Sequence, residues 1–349
     1  MSGDVEYLDE IAGATGFPHE GYPTGWFQVE WSDALKAGEV RAVKYFGKEL
    51  VLYRGQDGVV VLMSAFCPHM GAHLGHGGQV VGGCNIKCPY HGWEWGPNGR
   101  NVLAPSEGAP SKTRRGLRVW KTSESNGIVW TWHDALGREP LWEAPVERRQ
   151  EGNFLPVYPH CTYRWQNVRV RPQYIMENSA DLDHLVFVHK NGILPVVRTE
   201  ADLPQIQEEG HIFRFIRKPP MQSTTCYGVG LSLVDFIFDP ARPHRAPSLL
   251  YHATTPIDTE HSDMFGTQLL EQDRAAEGGE GVVPVGRALK RVQEQLKQAG
   301  RDLPIWENMV YMEKPAYTRL EGALFLQARR FANRFYPYSP ATVSSRKAS

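Results

Sequence analysis

Two short segments, Cys67-Pro-His69 and Cys88-Pro-Tyr-His91, constrain this chain more than any other feature. Each pairs a thiol with an imidazole at a spacing of two or three residues. A 2Fe–2S centre with mixed ligation needs this: one iron takes two Cys, the other two His, which raises the reduction potential over an all-cysteine cluster. Each loop then gives one ligand to each iron. Gly71 and Gly92 follow the two loops, where backbone has to come close to cluster sulfur. The competing assignment is a structural Cys₂His₂ zinc site, but zinc fingers usually pair like ligands, C-x₂₋₄-C with H-x₃₋₅-H, and here unlike ligands are paired. Cys84 has no histidine two or three positions on and reads as a buried free thiol; His73 and His76 read as turn or surface residues.

A second constellation lies some 90 residues further on: Glu177-Asn-Ser-Ala-Asp181-Leu-Asp-His184-Leu-Val-Phe-Val-His189. His184 and His189, with a distant carboxylate, would make the 2-His-1-carboxylate set of an O₂-activating ferrous site. Asp181 and His184 share a helical face. His184 and His189 are about 140° apart on an ideal helix, so joint ligation predicts a π-bulge or a helix end between them. The plainer alternative is an amphipathic helix with His189 favouring its C-terminal dipole. Asp302, in Arg301-Asp-Leu-Pro-Ile-Trp306, is the preferred carboxylate, with Asp273 and Glu307 as alternatives. An Asp just before Pro304 is also a natural helix N-cap.

The bulk properties fit a globular protein with a real core. The chain has 349 residues, enough for two domains, with 41% hydrophobic and 22% charged residues. A formal charge of −1 with no basic block argues against nucleic acid as the main partner. No apolar run approaches the roughly 20 residues of a membrane span, and the acidic start MSGDVEYLDE lacks the pattern of a signal peptide. Five cysteines, unevenly spread, do not suggest a disulfide framework. A cytoplasmic location is expected.

Residues 18–145 read as short strands broken by Gly, Pro and Asn turns, among them Glu49–Tyr53, Val59–Met63 and Gly127–Trp132. Arg138–Gly152 reads as a linker to a second domain over 150–340. There, Pro172–Lys190 is a helical candidate, followed by strands over His211–Arg217, Leu231–Phe238, Ser248–Thr255 and Met264–Leu270. An amphipathic helix around Arg287–Gln298 carries Leu289, Val292 and Leu296 on one stripe and stops at Gly300. Asp273–Gly281 reads as an exposed loop. Phe213, Phe215, Leu231, Phe236, Phe238, Leu250 and Phe265 suggest a large apolar pocket.

With both constellations in view, the chain resembles the α-subunits of Rieske non-haem iron oxygenases over most of its length. More narrowly it is similar to the oxygenase component of 3-ketosteroid 9α-hydroxylases and the cholesterol-7-desaturase group. The likeness rests on Cys67–Gly71, Cys88–Trp95, Ile128–Asp134, Asn178-x₂-Asp181-x₂-His184-x₄-His189, Asp302 with Ile305-Trp306, and Gln327–Phe331. It implies an α+β protein, an all-β Rieske domain followed by a helix-grip catalytic domain (an antiparallel sheet with helices), assembled as a homotrimer. It also implies one Rieske 2Fe–2S cluster on Cys67, His69, Cys88 and His91, and one Fe(II) on His184, His189 and Asp302. Asp181 would bridge His91 of one chain and His184 of the next, passing electrons between the sites. The chain has no Gly-x-Gly-x-x-Gly nucleotide fingerprint, so electrons would come from a separate NAD(P)H-dependent flavin/iron–sulfur reductase, with or without a ferredoxin. The implied reaction is hydroxylation of a small apolar, steroid-like polycyclic substrate. The alternatives are hydroxylation or O-demethylation of an aromatic acid or ether, and, from another class, an electron carrier with an empty second iron site. Two departures from the family pattern stand out: a Gly-rich extension at Gly75–Gly83, and Pro304, which is expected to break the helix carrying Asp302.

Overall fold

A computed structural model describes residues 16–147, 154–190, 199–217, 223–236, 248–271 and 283–337. The N-terminal part is all-β. Its strands are β1 (Gly25–Trp31), β2 (Val40–Tyr45), β3 (Lys48–Arg54), β4 (Val60–Ser64), β5 (Gln79–Val81), β6 (Asn85–Lys87), β7 (Glu94–Trp95), β8 (Asn101–Leu103), β9 (Val119–Trp120), β10 (Thr122–Ser125) and β11 (Ile128–His133). They form three sheets, ordered β1-β11-β10, β2-β3-β4-β9 and β5-β6-β7-β8. The last two carry the two Cys–His loops, the first leaving β4 and the second leaving β6.

The C-terminal part is one antiparallel sheet with helices, as expected for the fold class. It contains β12 (Thr162–Val168), α1 (Pro172–Asn178), α2 (Asp183–Phe187), β13 (Gln205–Glu209), β14 (Ile212–Ile216), β15 (Ser223–Tyr227), β16 (Leu231–Phe236), β17 (Ser248–Pro256), β18 (Ser262–Leu270), α3 (Gly286–Trp306) and α4 (Arg319–Asn333). The sheet order is β12-β18-β17-β16-β15-β14-β13. Side chains alternate between faces along a strand, and the two faces have different work. Leu231, Leu233, Leu249, Tyr251, Ala253, Phe265 and Leu269 pack with Trp26, Trp31, Trp130 and Trp132 into a core shared with the N-terminal sheet. The opposite face lies under the helices. There α4 buries Leu324, Ala328 and Phe331 against Phe213, Phe215 and Cys226.

Polar contacts join the two parts as well. Arg164 on β12 donates to Asp263 (2.6 Å) and to the Tyr45 hydroxyl (3.0 Å), and lies 3.5 Å from Glu30. Both carboxylates are buried. Trp142, in the segment expected as a linker, stacks on His211 at 4.6 Å and accepts the Trp26 indole N–H at its carbonyl (2.8 Å).

Several expectations are corrected. Pro172–Lys190 is two short helices rather than one, with a break over 179–182 that puts the Asp181 side chain beside His184. The helix expected to stop at Gly300 and to break at Pro304 runs unbroken as α3 from Gly286 to Trp306. Gly and Pro cost about 1 and 3 kcal/mol inside a helix, but burial of Ala299, Asp302 and Trp306 along the inner face holds these last turns wound. Asp302 is therefore a mid-helix residue and not an N-cap. Of the expected stripe, Val292 packs against the core beside Ala288, but the two leucines do not. The inner face is Ala288, Arg291, Gln295, Ala299, Asp302 and Trp306, while Leu289 and Leu296 are 40% and 45% exposed. The helix roofs a partly polar cavity, so Arg291, Gln295 and Asp302 stand among its inward residues. Sequence reading also missed β12, β13 and β15, whose composition is largely polar. Asp273–Gly281 and Phe238 lie outside the described residues.

Removing Arg164 leaves the buried Asp263 without its cation, while Glu30 keeps Arg41. Arg164→Ala should destabilise the fold by about 3 kcal/mol, measured as a lower thermal midpoint of the metal-loaded protein.

Candidate metal centres

The two Cys–His loops are built alike despite their different spacing. The Cys67 N–H donates to the Ala72 carbonyl (2.9 Å) and the Gly71 N–H to the Cys67 carbonyl (2.9 Å). In the second loop the Cys88 N–H donates to Trp93 (2.8 Å) and the Gly92 N–H to Cys88 (3.1 Å). Each loop thus closes at the fourth residue after its cysteine, where φ is +78° at Gly71 and +68° at Gly92. That region strains any side-chain-bearing residue. Cys67 and Cys88 are buried, and His69 and His91 are exposed with ring centroids 4.8 Å apart. Trp93 stacks on His69 at 4.6 Å, and the Tyr90 ring lies 3.7 Å from His91. Burial pushes the Cys67 thiol up, and the neighbouring Cys88 adds to this; a cation bound between them would favour the thiolates. Two inward thiols and two outward imidazoles are a donor set that fits a 2Fe–2S cluster with its histidine side toward solvent.

Cys84 stands apart. It is buried, its thiol pushed up to about 11 by burial and by Asp57. His73 accepts the Gly75 N–H at Nδ1 (3.0 Å), a turn role, and His76 is exposed.

The second centre joins three elements. In α2, the Val188 and His189 N–H groups both donate to the His184 carbonyl, at 2.8 and 3.4 Å. The latter is an i→i+5 bond, and Lys190 follows with φ +52°. This widened helix end brings the two rings to 5.1 Å between centroids, which a regular helix forbids. From α3, Asp302 reaches to 3.4 Å from His189 Nε2. Ligand atoms of His184, His189 and Asp302 all lie within 4.8 Å of one another. Arg301 donates to the His189 carbonyl (2.8 Å) and ties α3 to the end of α2.

Asp181 lies behind His184. Its Oδ1 accepts the His184 N–H (3.1 Å), and its Oδ2 is 3.7 Å from His184 Nδ1. Burial raises its pKa, but hydrogen bonds and charge interaction with His184 outweigh this, and the net shift is downward. Asp302 is pushed up to about 6, chiefly by burial, and His189 down to about 4 by burial and by His184. A buried carboxylate beside the neutral imidazole of His189 is costly alone and is relieved by a divalent cation. The donors fit one. Glu307 is the exposed cap at the end of α3 and joins no such group; Asp273 lies outside the described residues.

Two cavities meet at these residues. One, of about 230 Å³, lies between the sheet and α3 and is lined by Arg217, Phe236, Leu250, His252, Arg291 and Trp306 among others. The second, of about 310 Å³, opens on the Asp181 side beside Ile305, Met309, Val310 and Tyr311. Of the apolar residues expected to form a pocket, Phe236 and Leu250 line the first cavity. Phe213 and Phe215 instead pack under α4, and Leu231 and Phe265 face the shared core. The phase of each strand decides this. Sequence reading also missed a buried network behind the site, where Arg329 donates to Glu177 (2.9 Å) and Tyr311 and Gln173 donate to the same carboxylate (3.0 and 2.7 Å). No local motif announces it, because its members come from α1, α4 and the segment between α3 and α4.

Comparison with known proteins matches residues 25–121 to the Rieske [2Fe-2S] domain and 131–336 to the 3-ketosteroid 9alpha-hydroxylase C-terminal domain. Among curated relatives, a cholesterol 7-desaturase of Bombyx mori is 31% identical over 94% of this chain and 72% of that protein. The oxygenase component of the 3-ketosteroid-9-alpha-monooxygenase of Rhodococcus rhodochrous is 24% identical, over 90% of this chain and 84% of that one. Among solved structures, NdmA of Pseudomonas putida CBB5 superposes with a TM-score of 0.66 at 21% identity, covering 88% of each chain. Dicamba monooxygenase, solved with non-haem iron and dicamba, gives 0.61 at 17%, covering 90% of this chain and 96% of that one. At these identities the structural likeness speaks to the fold.

Asp302→Ala should lower iron from about three to about two per chain while the cluster's visible spectrum stays unchanged. Glu307→Ala should leave both readings alone. Iron analysis beside absorbance distinguishes the two variants.

Proposed function

Because this chain belongs to the Rieske non-haem iron oxygenases, we propose that it is the terminal oxygenase component of a multicomponent system and hydroxylates a steroid-like polycyclic substrate. The observation that carries this reading is the convergence of His184, His189 and Asp302 at the edge of a cavity, in the part of the chain that matches the ketosteroid hydroxylase domain. The sterol and ketosteroid relatives support the substrate class.

In this reading Cys67, Cys88, His69 and His91 hold the cluster, and His184, His189 and Asp302 hold the mononuclear iron. When bound, these groups supply single electrons and a place for O₂ to be activated beside substrate. Asp181 fixes the His184 ring from behind, as carboxylates do for metal-bound imidazoles. In a homotrimer it would also accept a hydrogen bond from His91 of the adjoining copy. Exposed Phe66, Met70 and Tyr90 around one centre, and Ile305, Met309 and Val310 beside the other, are apolar surfaces that such packing would cover. The electron source is a separate reductase, with or without a ferredoxin. No described helix is long and apolar enough to cross a membrane. A cytoplasmic site of action belongs to the same proposal, supported by Cys84, Cys161 and Cys226, which stand as free thiols.

One observation favours the second reading, an aromatic acid or ether as substrate: the buried guanidiniums of Arg217 and Arg291 line the cavity. Both already donate to protein acceptors, Arg217 to the Ser179 carbonyl (2.8 Å) and Arg291 to the Ser248 hydroxyl (3.1 Å), so the steroid reading ranks first.

A single-turnover assay separates these readings. Iron-loaded protein is reduced without air, mixed with 3-ketosteroids, sterols and aromatic acids, exposed to O₂ and analysed by mass spectrometry. A steroid gaining one oxygen atom is expected. An oxidised aromatic acid would select the second reading, and cluster reoxidation without product would favour an electron carrier. Asp181→Ala should keep both metals bound yet lower turnover by about 100-fold or more; a variant with full coupled activity would remove Asp181 from the electron route.

A further inference from the structure

Strand β17 sends alternate side chains to opposite faces of the sheet. Leu249, Tyr251 and Ala253 enter the shared core, so Leu250 and His252 face the helices and line the cavity. His252 pairs across the sheet with Ser232 on one side and Gly266 on the other. Its ring lies 6.0 Å from Trp306, one helical turn beyond Asp302, and 6.5 Å from Tyr163. Gly266 makes room for this arrangement, because a Cβ there would come within 2.0 Å of the Tyr163 ring.

Among the described residues, neither ring nitrogen of His252 has a hydrogen-bond partner, and Nε2 is fully shielded. A buried polar group left in this condition costs about 1–3 kcal/mol, and such groups are rare enough to call for a use. Several other polar side chains around the cavity are already engaged. Asn178 lies 3.4 Å from His184, Ser179 lies 3.4 Å from Ser232, and Arg217 and Arg291 have the acceptors described above. Burial holds the His252 pKa down to about 4, so the ring is neutral at physiological pH. A neutral imidazole offers one donor and one acceptor. It can pair with a hydroxyl or a ketone, and it offers no charge to a carboxylate.

We infer that His252 is the specificity-determining residue of this cavity, binding a neutral oxygen function, hydroxyl or ketone, of a polycyclic substrate. The inference rests on the steroid reading above and deepens it. The apolar remainder of the wall, including Ile175, Leu185, Val234, Phe236, Leu250 and Trp306, takes the ring skeleton. The imidazole sets which end of the skeleton enters and therefore which carbon lies near the three iron-binding side chains. A site built to hydrogen-bond an oxygen rejects the analogue that lacks it far more strongly than an apolar pocket discriminates by size.

The test measures dissociation constants by calorimetry on the metal-loaded enzyme. The ligands are a steroid with a ketone at each end and the two analogues that each lack one ketone. Wild type should bind one analogue about 10–100-fold more weakly than the parent. His252→Phe should weaken the parent by a similar factor and leave that analogue within about 3-fold, so that the discrimination collapses; His252→Gln, which keeps a donor and an acceptor, should restore part of it. Equal loss for all three ligands would make His252 a structural residue and overturn the inference, as would wild-type affinities that ignore both ketones. This last result needs no variant to fold, and it leaves the steroid reading standing because the ligands still bind. A wild type that binds aromatic acids and no steroid overturns the steroid reading, and the inference with it.

Discussion

Strands β17 and β18 of the seven-stranded sheet are buried on both faces, and most of the architecture follows from that demand. β17 and β18 are covered almost throughout. One face is closed by the tryptophan-rich sheet of β1, β10 and β11, the other by the helices. A sheet with two apolar faces would be closed by simple packing. Here the helix-side face is only partly apolar, with Ser232, His252 and Gln268 among its side chains, so that part of it becomes a cavity wall.

The constellation of His184, His189 and Asp302 depends on that partial coverage. α3 crosses the sheet with Arg291, Gln295 and Asp302 turned inward, an orientation that an ordinary amphipathic helix would avoid. Keeping these groups buried is unfavourable unless each finds a partner. Arg291 reaches Ser248, and Asp302 lies against His189. The carboxylate, raised to about 6, is the group that a bound divalent cation would relieve most directly. The site is thus strained by burial in the way that a resident metal repairs, and its helix end at His184–His189 carries the backbone irregularity needed to bring both rings to one point.

The cavity chemistry narrows what can enter. A wholly apolar wall would accept any hydrophobe of the right size. This wall mixes apolar side chains with an unpartnered neutral imidazole and two guanidiniums held by protein acceptors. That pattern suits an apolar skeleton bearing neutral oxygen, and it accords with relatives named for sterol and ketosteroid chemistry.

Local spacing carried much of this. Cys67-x-His69, Cys88-x₂-His91 and His184-x₄-His189 are short-range patterns, and ligands that must converge through one loop or one helix end leave that mark in adjacent residues. The irregular helix end was also foreseeable, because five residues cannot bring two side chains together on a regular helix. The fold class was legible for a similar reason, since strand periodicity and turn residues are local. What only the tertiary structure decided is everything that depends on phase and distance. Asp302 could be nominated from sequence, but its place mid-helix, past Gly300 and before Pro304, follows from the burial of Ala299, Asp302 and Trp306. Leu289 and Leu296 looked like the inner stripe and are not, because the helix turns Arg291, Gln295 and Asp302 toward a partly polar cavity. Phe213 and Leu250 look equivalent in sequence, yet one packs under α4 and the other faces the cavity. A strand's pattern shows that its faces differ; which face meets which neighbour is set by the packing of distant segments.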